Sequence, residues 1–79
     1  MQVKLGFYRH YKTQNVYEVI GVGKHSETLE DYVIYKPMYK GSPAGFWLRP
    51  KQMFTGTVEF EGKKLKRFTY LGNKYNIAI

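Results

Sequence analysis

Apolar and polar side chains alternate along most of this chain with a period of two, the pattern of half-buried strands rather than helices. The clearest run is "VYEVIGVGK" (residues 16–24), which puts Tyr17, Val19 and Gly21 on one face and Val16, Glu18, Ile20 and Val22 on the other. Gly21 and Gly23 predict a bend or bulge where the sheet curls. Before it, "GFYRHYK" (6–12) is aromatic and β-favouring and ends in a turn at "TQN" (13–15). After it, "DYVIYKPMY" (31–39) reads as a third strand, and Pro37 predicts an edge or a bulge near its end.

"KGSPAG" (40–45) carries turn chemistry, and "FWLRP" (46–50) gives a short fourth strand. Its alternation groups Phe46 with Leu48 and Trp47 with Arg49; with the first pair toward the core, the second shares the surface. Pro50 can open one helical turn through Lys51, Gln52, Met53 and Phe54, plugging Met53 and Phe54 into one end of the fold. "TVEFEGKKLKRFTYL" (57–71) turns Val58 and Phe60 inward and Glu59 and Glu61 outward, reverses at Glu61-Gly62, and returns through Leu65, Phe68 and Tyr70. The tail, 72–79, receives no element. Five or six short, strongly bent antiparallel strands with one helical turn predict an all-β, SH3-like barrel forming a single domain over residues 1–79.

Composition narrows the partners. A chain of 79 residues supports one modest core and no separate cofactor domain. It has no cysteine, which removes disulfides, thiolate metal sites and a cysteine nucleophile. Residues 1–7 lack the apolar run of a secretory signal, and no stretch reaches the ~20 apolar residues that span a bilayer. The expectation is a cytoplasmic protein without a membrane partner. Thirteen Lys and Arg against six Asp and Glu give a net charge of +7, which favours anionic partners. Eight tyrosines, five phenylalanines and one tryptophan supply buried area and, where exposed, stacking surfaces.

The polar run "KHSETLED" (24–31) admits three readings. His25, Ser26, Glu27 and Thr28 can be a hairpin loop whose hydroxyls and carboxylates cap backbone amides, with "SETLED" as one helical turn. They can be a ligand clamp at a sheet edge. They can also be catalytic, with His25 and Glu27 in a hydrolase-like role, although side chains of adjacent residues diverge in extended backbone while a nucleophile needs its base within ~3 Å. His10 and His25 with Glu27, Glu30 and Asp31 have no recognised ligand spacing, so no metal is assigned, and no cofactor motif is present. Arg9, Trp47 and Arg49 suit a phosphate, a carboxylate or a stacked base, with Tyr35 and Tyr39 on one strand parity as an aromatic shelf. The alternative for Arg49 is an ion pair with an acid of the 24–31 loop. Lys63, Lys64, Lys66 and Arg67 form the densest basic run, either a track for a nucleic-acid backbone or a solvated hairpin that resists aggregation.

Five blocks taken together, "YRHYK" (8–12), "YEVIGVGKHSETLE" (17–30), "VIY" (33–35), "WLRPKQMF" (47–54) and "RF" (67–68), resemble the bacterial family known as domain of unknown function 1653. The resemblance covers roughly residues 6–70. It implies a compact β domain, found alone or joined to others, whose activity is not established. Thr13 stands where such sequences often have glycine, and "YKGSPAG" varies a loop. The resulting expectation is a binding module for an anionic, nucleotide-like ligand or a nucleic acid. Its candidate residues are Arg9, His10, Tyr35, Trp47 and Arg49 with those of the 25–28 loop. The alternatives are a protein-interaction or accessory subunit and a small hydrolase.

Overall fold

Side chains that alternate between core and solvent hold each strand in register, because a slip of one residue would expose the buried set. The computed structural model describes residues 3–73. Its elements in chain order are β1 (Gly6–His10), β2 (Val16–Lys24), β3 (Asp31–Pro37), β4 (Trp47–Pro50), α1 (Lys51–Thr55), β5 (Thr57–Phe60), β6 (Lys63–Lys66) and β7 (Phe68–Gly72). Gly72, first residue of the unassigned tail, closes β7, and residues 74–79 of that tail lie outside the described residues.

Five strands form one antiparallel sheet in the order β4-β3-β2-β1-β7, and β5 with β6 forms a separate hairpin. The expected antiparallel all-β fold with one helical turn is present, and hydrogen bonding leaves the sheet open rather than closing it into a barrel. Seven strands replace five or six because the last predicted strand changes partners. Lys63–Lys66 pairs with β5, and Phe68–Gly72 pairs with β1. Arg67 is the hinge between them, its amide donating to the Gly56 carbonyl at 3.0 Å and its carbonyl accepting from Tyr11 at 3.0 Å. The β5–β6 turn uses Glu61 at φ +53° and Gly62 at φ +75°, the left-handed pair a tight two-residue hairpin requires.

The bulge foreseen at the glycines of β2 lies between Val19 and Gly21. Beyond it the register with β3 shifts by one residue, so Val22 stands opposite the buried Val33 while itself remaining exposed. Pro37 lies past the end of β4, which pairs only with residues 32–35 of β3, so its missing amide costs no ladder bond on that side. At the far side of the sheet Gly6 (φ +136°) passes so close to β7 that a Cβ would lie 2.5 Å from the Gly72 carbonyl oxygen.

The core is mostly aromatic: Tyr8, Tyr17, Val19, Val33, Tyr35, Phe54 and Phe68, with Val3, Tyr39 and Trp47 packed against it. Phe54 and Phe68 stack at 4.2 Å with planes 8° apart, and Tyr8 meets Phe54 edge-on at 5.2 Å. Such pairs add about 0.5–1.5 kcal/mol each beyond their buried area.

Two sequence expectations are corrected here. The turn of α1 delivers Phe54 to the core at 1% exposure, but Met53, its neighbour on the helix, is 47% exposed. Adjacent residues on a helix diverge by about 100°, so a single short turn plugs one side chain and not both. In β4 the faces are inverted. Phe46 just before the strand and Leu48 within it are 63% and 64% exposed, while Trp47 and Arg49 turn inward. Trp47 packs on Tyr17 and Tyr35, two aromatic rings of the core.

Candidate functional site

The two histidines start two loops of the same construction. In the β1–β2 loop His10 Nδ1 accepts from the amides of Lys12 (3.2 Å) and Thr13 (3.5 Å), and Thr13 Oγ1 accepts from Asn15 N at 3.3 Å. In the β2–β3 loop His25 Nδ1 accepts from Glu27 (3.2 Å) and Thr28 (3.3 Å), and Thr28 Oγ1 accepts from Glu30 N at 3.3 Å. Both histidine amides bond across the loop, to Asn15 O and Glu30 O, and the residue after each threonine is left-handed, Gln14 at φ +62° and Leu29 at +63°. A repeated His-x-x-Thr, at 10–13 and 25–28, carries this geometry. The imidazole does what the sequence reading assigned to Ser26 and the carboxylates. Ser26, Glu27 and Thr28 are exposed on this hairpin.

The two loops close opposite ends of β2, and their rings face different surroundings. His25 lies against Tyr32 at 6.0 Å. His10 is half-buried against Phe68 at 5.1 Å and Tyr11 at 4.8 Å. Burial chiefly, and then the positive charges of Arg49, Arg67 and Lys12, hold the His10 imidazole below its ordinary pKa.

Arg49 lies on the inner face. Its Nε donates to the Tyr35 hydroxyl at 3.2 Å, and its guanidinium sits 5.6 Å from the Phe68 ring centroid. The ion pair expected between Arg49 and the 24–31 loop is not formed. Among the described residues the ion pairs are Lys24 with Asp31 (2.8 Å) and Lys36 with Glu18 (3.7 Å). Arg49 stands opposite Val33 in register, whereas Tyr32, the ring beside His25, alternates to the other face. His25 and Arg49 therefore do not share a site.

Other predicted residues do come together. Phe60 packs edge-on against Tyr11 at 5.4 Å and docks the β5–β6 hairpin beside the β1–β2 loop. A cleft of about 310 Å³ opens between them, lined by Arg9, His10, Tyr11, Gln14, Lys64, Leu65, Lys66 and Thr69. Two basic sets that are more than fifty residues apart in sequence thus meet at one place. No acidic residue lines this cleft. Glu59 stands opposite Lys64 in the β5–β6 register without an ion pair to it. Arg67 flanks the cleft, with its Nε donating to the Met53 carbonyl at 3.0 Å, and Lys63 is exposed at the hairpin turn.

A second cleft, of about 300 Å³, borders the first. Lys66 lines both, and Lys4, Tyr8, Phe54, Phe68 and Tyr70 are among its other walls. A third, of about 230 Å³, lies on the outer face among Gly23, Lys24, His25, Tyr32, Ile34 and Leu48. Tyr11, Gln14 and Tyr70 were not singled out from sequence as site residues, since a lone Tyr or Gln in a β-rich chain carries no signal until its neighbours are known. No three His, Asp or Glu side chains cluster as metal ligands among the described residues, and no helix there is long and apolar enough to cross a membrane.

The comparisons with known proteins agree on the kind of domain. A family model described as "Protein of unknown function (DUF1653)" matches residues 6–70. A crystal structure of a DUF1653 protein from Bordetella bronchiseptica is similar at a TM-score of 0.85 and 28% sequence identity, over 96% of each chain. No curated protein matches the chain.

Proposed function

The chain belongs to DUF1653, a family of unknown function, and we propose that it is a binding module for the phosphate backbone of a nucleic acid, held in the cleft between β1, its loop and β6. One observation carries this reading: Arg9, His10, Lys64 and Lys66 converge from distant segments on a concave surface that no carboxylate lines. Arg9 offers a planar fork for two phosphate oxygens, and the lysines act as mobile point charges. Three permanent cations displace counterions on binding, so affinity falls steeply with salt. In this account the 25–28 loop stabilises its hairpin and contributes no ligand contact.

An amide-resolved NMR titration with a short single-stranded oligonucleotide at low salt tests the proposal. Shifts are expected at Arg9, His10, Lys64 and Lys66, with residues 25–28 unmoved. Shifts centred on residues 25–28, or none anywhere, would contradict it.

A second reading, contact with another protein chain, is favoured by Phe46 and Leu48, apolar and exposed beside β4, the open edge of the sheet. It predicts concentration-dependent pairing of two copies along β4 in sedimentation, abolished by Leu48→Glu.

A further inference from the structure

The cationic cleft and its aromatic neighbour share one wall, Lys66. Arg9 and Thr69 of the first alternate to the other face of the sheet from Tyr8 and Tyr70 of the second, so a ligand held in the first reaches the second around the edge strand β7. The second cleft has a floor made by Phe54 and Phe68 and a lip made by Tyr70. Tyr70 is 37% exposed; its ring lies 5.1 Å from Tyr8, and its hydroxyl donates to the Leu5 carbonyl at 3.3 Å, which fixes the ring's position. Lys4 Nζ hovers 5.4 Å from the centroid of the same ring. This anchored tyrosine ring, with Lys4 over it and Lys66 on the same cleft, is suited to a flat, electron-rich ring attached to an anion, the base displacing Lys4 from the ring toward that anion. At about 300 Å³ the cleft stands at the lower limit of small-molecule sites, a size for one ring system rather than a large ligand.

We infer that the nucleic acid bound at the cationic cleft is single-stranded, with one unstacked base crossing Lys66 to lie on Tyr70. This rests on the backbone-binding reading above and adds the substrate class to it. A duplex offers the same phosphates to Arg9, Lys64 and Lys66 but keeps its bases stacked inside, out of reach of Tyr70. A single strand presents both groups at once. Stacking on Tyr70 is indifferent to salt and tolerant of sequence, whereas the phosphate contacts are salt-sensitive. The two clefts therefore contribute separable parts of the affinity.

The test measures binding of a short single-stranded oligonucleotide, the same sequence as a duplex, and the free mononucleotide to the full chain, as wild type, Tyr70→Leu and Tyr70→Phe. Tyr70→Leu keeps apolar bulk but removes the ring face, and Tyr70→Phe keeps the ring. The single strand should bind more tightly than the duplex. Tyr70→Leu should lose at least about fivefold in single-strand affinity with its salt dependence unchanged, and Tyr70→Phe, which keeps the ring but gives up its bond to Leu5, should lose less than Tyr70→Leu. Equal affinity for duplex and single strand with a silent Tyr70→Leu would overturn this inference alone and leave the backbone reading standing. A mononucleotide as tight as the oligonucleotide would overturn the strand assignment in the same way. Failure of every nucleic acid to bind would overturn both.

Discussion

The two histidines, alike in the loop they build, differ in what lies around the ring, and on that difference the proposed site takes in His10 and leaves out His25. His25 accepts two amide hydrogen bonds on an exposed hairpin. His25→Ala should cost about 0.5–1.5 kcal/mol in urea unfolding and leave oligonucleotide affinity unchanged; a lost affinity with intact stability would return the 25–28 loop to the site. His10 carries an imidazole held below its ordinary range by burial first and then by Arg49, Arg67 and Lys12. As pH falls through about 6.5 the unfolded chain takes up a proton that folded His10 resists, so stability declines on acidification until the pH passes below the folded value. A phosphate in the cleft would offset the three cations. The His10 midpoint, followed by NMR, should therefore rise when oligonucleotide is bound, and a midpoint that stays put at saturation would place the anion elsewhere. The repeated His-x-x-Thr was legible in the sequence as letters. Its meaning was not, because the imidazole's role as an amide acceptor depends on the left-handed residue that follows, Gln14 or Leu29, neither of which is a usual turn residue.

At the scale of elements, alternation located the strands but not always their phase. β1, β3 and β5 follow the pattern closely, whereas β2 buries both Val16 and Tyr17 and shifts its register with β3 at the bulge that Gly21 marked. β4 is four residues long, and all of Phe46, Trp47, Leu48 and the stem of Arg49 can face a core, so hydrophobicity alone could not choose. The choice falls to Tyr17 and Tyr35, which offer Trp47 ring contacts across the sheet. Nor could the sequence show that the run after Gly62 serves two sheets, since Arg67 breaks the pairing through backbone bonds to Gly56 and Tyr11. The helical turn gives a direct check. Phe54→Ala removes a fully buried ring stacked on Phe68 and should destabilise the fold by about 3–5 kcal/mol, whereas Met53→Ala should change stability by no more than about 0.5 kcal/mol. Equal losses in urea unfolding would mean that both side chains plug the core.

For the whole molecule, the net charge of +7 matters less than its distribution. Three of the six carboxylates, Glu27, Glu30 and Asp31, sit at the end of β2 remote from His10, and Glu18 and Asp31 are engaged by lysines. Around a cleft, the opposite end gathers Arg9, Lys64, Lys66, Arg67 and His10, whose burial holds its imidazole below the ordinary pKa. The basic run 63–67 was visible in the sequence as a patch. Its meeting with Arg9 and His10 was not, because that requires the Phe60–Tyr11 contact that docks one hairpin on the other. The most direct test of this account is the salt dependence of single-strand affinity, by fluorescence anisotropy, for the wild type and the Lys64→Gln/Lys66→Gln double variant. Three cationic contacts predict a log–log slope of about −2 for the wild type and a slope shallower by about 1.4 for the variant. Absent binding at low salt, or the same slope in both proteins, would contradict a phosphate backbone held by this cleft.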